Sequence, residues 1–292
     1  MKEAVKFFNI IKNAGITAIL ISVVCYAKNP HWTSDSVFKL DMAPDSVDDQ
    51  FIDCEDQTNN LIKKGILKNE LKHSKLFSKV WKEFENVSDD LQKIIKVYTY
   101  TLPLYSEFNN ALRSGRKNYK KKFNYKSFHF LLTCAVRKYK MMNCVDVFRK
   151  TNVSFDTNVV NREMRFGQFT STSTRDDLHT FGNKSCFQIN TCYGANITNM
   201  SFHAKEEEVL IPPFEKFKIT KIEYNQRNCS VLYSLQSTGT CSNMNCELIK
   251  KSTLYHTTKN EDLLVQKRYD LMQLCSSKSK SLFKRLEQEK KH

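Results

Sequence analysis

The hydrophobic pattern changes its period near the middle of this 292-residue chain. Between about residues 56 and 142, apolar side chains recur every three or four positions, as at Phe77, Val80, Trp81 and Phe84. This spacing places them on one face of a helix. From about residue 143 to 250, apolar residues alternate with polar ones, as in residues 187–190, which is typical of strands. Helices followed by strands predict an α+β fold.

The first residues predict export from the cell. Three lysines precede an uncharged apolar run from residue 14 to 27, with small residues at Cys25 and Ala27. The run is shorter than the roughly 20 residues of a membrane helix, and its end matches a signal-peptidase site. We interpret residues 1–27 as a signal peptide; a short anchor or a buried helix is the alternative. We find no later membrane span and no hydrophobic tail for a lipid anchor, so we expect a secreted protein.

Cysteines and asparagine motifs agree with an extracellular protein. Of the 10 cysteines, all except Cys25 remain after cleavage, and in an oxidising compartment most of them should pair. Their odd number leaves at least one thiol free or bonded to another molecule. The absence of CxxC and HExxH motifs argues against a metal site. Asn-X-Ser/Thr motifs are candidate glycosylation sites, and they occur at Asn86, Asn152, Asn183, Asn196, Asn199 and Asn228.

The charge balance favours anionic partners without choosing among them. Lys and Arg number 46 against 31 Asp and Glu, which gives a net charge of +15. Residues 113–122 are strongly basic and form either a solvated loop or a polyanion-binding patch, and residues 251–292 read as a polar, Lys-rich tail. The chain has no Gly-rich phosphate loop, which excludes the common dinucleotide and P-loop folds. It also has no nucleic-acid motif, so no specific nucleic acid is expected.

Three segments carry candidate chemistry. Glu206 and Glu208 precede the apolar residues 209–214, and in an extended chain they point to the same side. Two such carboxylates suit a cation, although a solvated acidic turn is the alternative. Residues 165–173 (RFGQFTSTS) contain a Ser/Thr run, which also fits a turn or a strand edge. Arg149 ends a strand-like segment, where a surface ion pair is the simpler interpretation.

In this order, the segments resemble the vertebrate arginine-specific mono-ADP-ribosyltransferases of the secreted or cell-surface kind. The shared order is an arginine, a Ser-x-Ser strand and a Glu-x-Glu motif. Further matching segments are residues 40–44, 48–50, 100–102, 128–130, 191–194, 209–217, 237–239 and 245–246. The resemblance implies an N-terminal helical part packed on a mixed or antiparallel β core of ADP-ribosyltransferase type. It also implies one catalytic domain over residues 28–250, with residues 251–292 as a tail.

The resemblance assigns roles to individual residues. Arg149 corresponds to the arginine that grips the NAD phosphates, and Ser171 to the serine that shapes the nicotinamide-ribose pocket. Glu208 corresponds to the catalytic glutamate, and Glu206 to the glutamate that gives arginine specificity. Further NAD contacts are implied at Tyr100, Gln168 and Ser201. The family usually has Tyr-Arg-Gly where this chain has Phe-Arg-Lys at 148–150, so Lys150 adds a side chain beside the diphosphate and Arg165 is the alternative to Arg149.

The resemblance also implies two disulfides. One joins Cys54 to Cys246 and the other joins Cys144 to Cys192. Both would stabilise the fold by a few kcal/mol. The remaining cysteines are left without an assigned partner, although Cys229 with Cys241 could close a hairpin; they are Cys134, Cys186, Cys229, Cys241 and Cys275.

The implied function is transfer of ADP-ribose from NAD, or NADP, to arginine side chains of extracellular proteins. Nicotinamide leaves through an oxocarbenium-like transition state that a carboxylate stabilises, and no metal is required. We expect a monomer. One alternative is an NAD glycohydrolase on the same fold, against which Glu206 argues. The others are a catalytically inactive binding protein and, ranked last, a polyanion-binding protein driven by charge.

Overall fold

A computed structural model describes residues 36–100 and 102–250 of the chain. The chain divides into two units, residues 1–37 and residues 38–292. The interpreted signal peptide and the Lys-rich tail lie outside the described residues. Within the second unit, helices come first and strands follow, so the prediction of an α+β fold is confirmed.

The helical half contains seven α-helices in the described residues. They are α1 (Glu55–Leu61), α2 (Leu67–His73), α3 (Lys75–Glu83), α4 (Asp90–Tyr100), α5 (Leu102–Ser114), α6 (Tyr119–Lys122) and α7 (Lys126–Lys138). A π-helical turn (Ile62–Ile66) joins α1 to α2, and a 3-10 turn (Arg116–Asn118) precedes α6. Helix α7 is buried from Ser127 to Val136, all around its circumference and not on one stripe alone. Its Phe128 ring stacks between Phe77 and Phe108, with centroid distances of 5.1 and 4.2 Å.

The strand half forms a mixed sheet. The described strands are β1 (Val37–Phe38), β2 (Val145–Thr151), β3 (Ser154–Phe155), β4 (Glu163–Met164), β5 (Thr170–Ser173), β6 (Ser185–Thr191), β7 (Ala195–Asn196), β8 (Glu208–Ile211), β9 (Glu215–Gln226) and β10 (Cys229–Thr240). Eight of them form one sheet in the order β4-β9-β10-β6-β2-β5-β8-β7. Only β10 and β6 pair in parallel; the other neighbours are antiparallel. The mixed, mostly antiparallel β core is thus as predicted.

The sheet separates two hydrophobic cores. Leu210 packs with the helices, whereas Val209 and Ile211 pack with the side chains of β2, β6, β9 and β10. This alternation follows from the two-residue period of a strand. Because Glu208 precedes Leu210 by two residues, it lies on the face of β8 that is turned towards the helices.

Three disulfides join described residues. They pair Cys54 with Cys246, Cys144 with Cys192, and Cys186 with Cys229. The suggested pairing of Cys229 with Cys241 is wrong, because Cys229 is bonded to Cys186. Cys241 follows the opposite end of β10, roughly 35 Å or more from Cys229 for an extended strand of that length. Cys241 is disulfide-bonded as well. Among the described cysteines, Cys134 is free and buried.

No helix within residues 36–100 and 102–250 is long and apolar enough to cross a membrane.

Candidate active site

Glu208 is a buried carboxylate at the start of β8. It pairs with Ser173 of β5, and it is 4% exposed. Its Oε2 accepts a hydrogen bond from the Ser201 hydroxyl at 3.0 Å. Burial raises the pKa of Glu208, and hydrogen bonds from Ser171 and Ser201 oppose that rise. The two hydroxyls therefore favour the charged carboxylate in a site that disfavours charge.

Glu206 does not lie in an extended strand with Glu208, so that expectation is wrong. It ends a 3-10 turn (Ala204–Glu206), and Glu207 has a left-handed backbone with φ 47°. This residue reverses the chain, and strand pairing begins only at Glu208. Ser173 Oγ donates to the Glu206 carbonyl at 2.5 Å and fixes the turn. Glu206 is half-buried, and its negative charge raises the pKa of Glu208, so the two carboxylates remain within electrostatic reach.

Arg149 lies where two strands of the sheet diverge. Strands β2 and β5 share one pair of facing residues, Phe148 and Ser173. Next to this pair, the Arg149 Nη1 donates to the Ser171 carbonyl at 2.7 Å. A guanidinium group therefore connects the two strands where backbone hydrogen bonds do not. Successive side chains of a strand point to opposite faces. Lys150, which replaces the usual glycine, therefore points away from the face of Arg149.

Gln168 and Arg113 form a second polar group near Arg149. Gln168 is buried, and its Oε1 accepts from the Arg113 guanidinium. The preceding Gly167 has φ 65°, and a Cβ there would lie 2.6 Å from the Ala43 Cβ, which explains the glycine in RFGQF. Partial burial and the charge of Arg149 both lower the pKa of Arg113. The two guanidinium groups are therefore close enough to repel each other.

Sequence reasoning missed two residues of this site. Arg113 belongs to the basic stretch 113–122, and nothing in its spacing distinguishes it from the other basic residues there. Tyr98 is fully buried; its hydroxyl donates to the Phe169 carbonyl at 3.2 Å and accepts from Asn109 at 3.2 Å. A hydrogen bond with Ser171 also lowers the pKa of Tyr98, which burial raises. Tyr98 belongs to the apolar face of α4, so the sequence pattern predicts a core residue and not a polar contact.

Tyr100 lies at the rim of the site. It ends α4, and its ring packs against Phe84 and Phe202 at centroid distances of 5.3 and 4.9 Å. The Phe202 N–H donates to Thr99 Oγ1 at 2.9 Å, so the end of α4 holds the loop that carries Ser201. Thus the structure gathers Ser171, Ser201 and Glu208, with Arg149 beside them and Tyr100 at the edge.

Arg165, the alternative phosphate ligand, has a structural role. Its side chain is fully buried and forms an ion pair with Asp48 at 2.6 Å. It also donates to the carbonyl groups of Met42, Ala43 and Cys241. With its donors engaged in this way, Arg165 is not available to a phosphate. This alternative is wrong.

A separate cavity of about 710 Å³ lies between residues 50–57 and the end of α7, and none of the residues predicted for catalysis or NAD binding line it. Within residues 36–100 and 102–250, no three His, Cys, Asp or Glu side chains are arranged to hold a metal ion. The arrangement at Glu208 is therefore one of carboxylates, hydroxyls and guanidinium groups.

Comparisons with known proteins agree with this arrangement. The family model described as NAD:arginine ADP-ribosyltransferase matches residues 40–243. NAD(P)(+)--arginine ADP-ribosyltransferase 2 of Gallus gallus is 33% identical over 232 residues, which cover 72% of this chain and 73% of that relative. Ecto-ADP-ribosyltransferase 5 of Homo sapiens is 31% identical over 244 residues, which cover 74% of this chain and 83% of that relative.

The fold is also similar to that of a solved structure. A crystal structure of the eukaryotic mono-ADP-ribosyltransferase ART2.2 has a TM-score of 0.62 and 27% sequence identity, and covers 72% of this chain and 99% of its own. A mutant of ART2.2 has been crystallised with NAD. Since the family model spans more than half of its residues and the relatives match it over most of their length, the chain belongs to the NAD:arginine ADP-ribosyltransferase family.

Proposed function

We propose that this protein is a secreted mono-ADP-ribosyltransferase that moves ADP-ribose from NAD, or NADP, to arginine side chains and releases nicotinamide. The observation that carries the proposal is the Glu208 carboxylate, which is buried yet hydrogen-bonded by the hydroxyl groups of Ser171 and Ser201. A buried carboxylate costs free energy unless the fold compensates it. Such groups are concentrated at functional sites.

Glu208 stabilises the positive charge that develops on the ribose. As nicotinamide leaves, the anomeric carbon becomes oxocarbenium-like. A carboxylate that accepts a hydrogen bond from the ribose 2′-hydroxyl stabilises this charge in a site from which water is excluded. Ser171 borders the same pocket, and Ser201 fixes the orientation of the carboxylate through its 3.0 Å hydrogen bond.

Glu206 binds the acceptor. A guanidinium group is protonated in water and is a poor nucleophile. The half-buried Glu206 carboxylate binds it through two parallel hydrogen bonds and aims one nitrogen at the anomeric carbon. The turn that holds Glu206 is anchored by Ser173, so the acceptor is held in a defined position relative to Glu208.

Arg149 and Arg113 hold the NAD diphosphate. Each guanidinium is a planar fork that suits phosphate oxygens. Two such cations near each other are unfavourable unless an anion lies between them. Burial lowers the pKa of Arg113, and the charge of Arg149 lowers it further. Gln168, which Arg113 holds, and Tyr100 at the rim complete the set of NAD contacts together with Ser201.

The site of action is extracellular. Disulfides form and persist in oxidising compartments, and the described residues contain three. Related proteins carry the names Ecto-ADP-ribosyltransferase 4 of Homo sapiens and GPI-linked NAD(P)(+)--arginine ADP-ribosyltransferase 1 of Mus musculus. We infer that residues 1–27 direct secretion, that the acceptors are extracellular proteins with accessible arginines, and that the enzyme acts as a monomer.

The test uses the purified secreted protein, labelled NAD and agmatine, a small guanidino acceptor. Wild type should transfer label to agmatine. Glu208→Gln keeps the size of the side chain and removes its charge, so it should abolish NAD cleavage. Glu206→Gln should retain cleavage but release free ADP-ribose. Thermal unfolding of each variant shows whether it is folded.

The same assay separates the alternatives. Free ADP-ribose from wild type, with no label on agmatine, would make the protein an NAD glycohydrolase. A folded wild type that leaves NAD untouched would contradict the proposal and favour a binding protein.

A further inference from the structure

We propose that Asn199 carries an N-linked glycan at the mouth of the active site, and that this glycan restricts access of large protein acceptors. The inference rests on the proposed function for its extracellular location and for its acceptor. It starts from the motif Asn199-Met200-Ser201, whose third residue is the serine that hydrogen-bonds Glu208. The Ser201 hydroxyl is thus needed first for glycosylation of Asn199 and later for the hydrogen bond to Glu208.

Asn199 is an accessible acceptor on a short turn. Its side chain is exposed, whereas Ser201 is only 7% exposed. The turn is closed by hydrogen bonds from the N–H groups of Met200 and Ser201 to the Ile197 carbonyl, at 2.8 and 2.7 Å. Glycans are attached to asparagines on such surface segments of secreted proteins.

Attachment must precede folding around Ser201. The Asn199 amide nitrogen forms a bond to the anomeric carbon of a lipid-linked oligosaccharide. The bond from that carbon to the lipid diphosphate breaks, the diphosphate leaves with the electron pair, and the amide loses one proton. In the unfolded chain the Ser201 hydroxyl is accessible for this step, and in the folded protein it is committed to Glu208.

Chain geometry places the glycan beside the acceptor. Two peptide units span at most about 7 Å, so the Cα atom of Asn199 lies within that distance of the Cα atom of Ser201. The loop then continues to Phe202, which is 53% exposed and packs on Tyr100, and ends at Glu206, the proposed acceptor ligand. A branched sugar at this point occupies the space that a folded acceptor would need. A free guanidino molecule still enters.

The neighbouring motif at Asn196 is equally accessible in the unfolded chain, so the choice between the two asparagines depends on which glycan the folded protein accommodates. Asn196 lies in the edge strand β7, opposite Val209, and its Oδ1 accepts from the Thr198 N–H at 3.1 Å. The two asparagines are only three residues apart, so a glycan on one crowds the other. Asn199 lies in the exposed turn, where folding accommodates an attached sugar without affecting the pairing of β7 with β8, and we assign the glycan to it.

Occupancy is tested on the full chain secreted from animal cells. The protein is treated with peptide-N-glycosidase in ¹⁸O-water, which converts a glycosylated asparagine to labelled aspartate, and its peptides are analysed by mass spectrometry. The expected result is label at Asn199. An unlabelled Asn199, or label at Asn196 alone, overturns the assignment. This readout does not depend on catalytic activity, so a failure of the proposed function would be recognised separately.

The restriction of acceptors is tested with Asn199→Gln, which leaves Ser201 intact. Relative to wild type, its kcat/KM for a folded arginine-rich protein such as a histone should rise about threefold or more, while that for agmatine should change by less than about twofold. Asn183→Gln is the matched control, because Asn183 is exposed and precedes β6, three strands from β8. Equal histone rates for wild type and Asn199→Gln overturn the restriction, as does an equal gain in the control. Deglycosylated wild type should behave like Asn199→Gln.

Discussion

The charge of Glu208 depends on the few side chains around it. Burial raises its pKa, Glu206 adds to the rise, and the hydroxyl groups of Ser171 and Ser201 and the charge of His203 oppose it. The ionised carboxylate is the form that stabilises an oxocarbenium ion. Activity should therefore be lost on the acidic side as the pH falls through the raised pKa of Glu208, at a higher pH than for an exposed glutamate.

Removing the Ser201 hydroxyl should further raise the pH at which activity is lost on the acidic side, which we call the acidic limb of the pH profile. Ser201→Ala deletes a hydrogen bond to the charged form, so the limb of kcat/KM should shift upward by about 1 in pH. The variant also removes the motif at Asn199, so both proteins are compared in the Asn199→Gln background. The measurement is agmatine labelling from pH 4.5 to 8. Thr220→Val removes an exposed hydroxyl on β9 and should leave the limb in place. An unchanged limb in Ser201→Ala would contradict the role given to Ser201.

Substitutions of Arg149 and Arg165 should have different effects: the first should weaken NAD binding, and the second should lower the free energy of unfolding. Arg149→Lys replaces a planar fork by a single ammonium group, so the KM for NAD should rise about tenfold. Its free energy of unfolding should change little. Steady-state kinetics and urea unfolding together check both expectations, and an unchanged KM would remove Arg149 from the diphosphate site.

Arg165→Met should instead lower the free energy of unfolding by about 3–5 kcal/mol, because it leaves Asp48 buried without its cation. The fraction that folds should retain the KM of wild type for NAD. Urea unfolding measures the first quantity, and kinetics on the folded fraction measure the second. A large rise in KM with unchanged stability would reverse the assignments of the two arginines.

At the scale of elements, sequence patterns predicted much of the fold and part of the site. The change of period at about residue 143 predicted the order of helices and strands, and the motif order identified the family. The turn at Glu206 was not predictable from the pattern, because a left-handed Glu207 breaks the period of two. The contacts of Arg113 and Arg165 were also not predictable from the sequence, because their partners, such as Gln168 and Asp48, are far away in the chain.

The N-terminus of α7 is capped by the buried carboxylate of Glu70, which belongs to α2. Glu70 of α2 accepts the N–H groups of Lys126 and Ser127 at 2.6 and 3.0 Å, and also the Ser127 hydroxyl. Burial raises its pKa from 4.5 to about 7. Because the folded state holds this proton more tightly than the unfolded state, the contribution to stability is fully present below pH 4.5 and is lost as the pH rises through about 7.

Glu70→Gln should remove this dependence. The free energy of unfolding of wild type, minus that of the variant, should fall by about 2–3 kcal/mol between pH 5 and pH 8. Urea unfolding at several pH values measures it. Glu83→Gln, at an exposed position of α3, is the matched control for replacing a carboxyl group by an amide in the helical half. A constant difference for Glu70→Gln would mean that Glu70 does not bind its proton more tightly in the folded state.

At the scale of the whole molecule, two segments far apart in the sequence are joined by hydrogen bonds and a disulfide. Asp48 accepts the N–H groups of Asn243 and Met244, and Asp49 accepts those of Cys246 and Glu247. The segment before the helices is thereby attached to the segment after β10. The Cys54–Cys246 disulfide adds a covalent link at the same place.

The disulfides should therefore differ in their contributions to stability. Cys54 and Cys246 are 192 residues apart in sequence, and Cys186 and Cys229 are 43 apart. From the entropy of loop closure alone, the first bond stabilises the fold by about 5 kcal/mol and the second by about 4 kcal/mol. Replacing both cysteines of a pair by serine should lower the urea midpoint more for the first pair, although the hydrogen bonds of Asp48 and Asp49 keep its ends together. The reverse order would mean that strain or residual structure in the unfolded chain outweighs loop length.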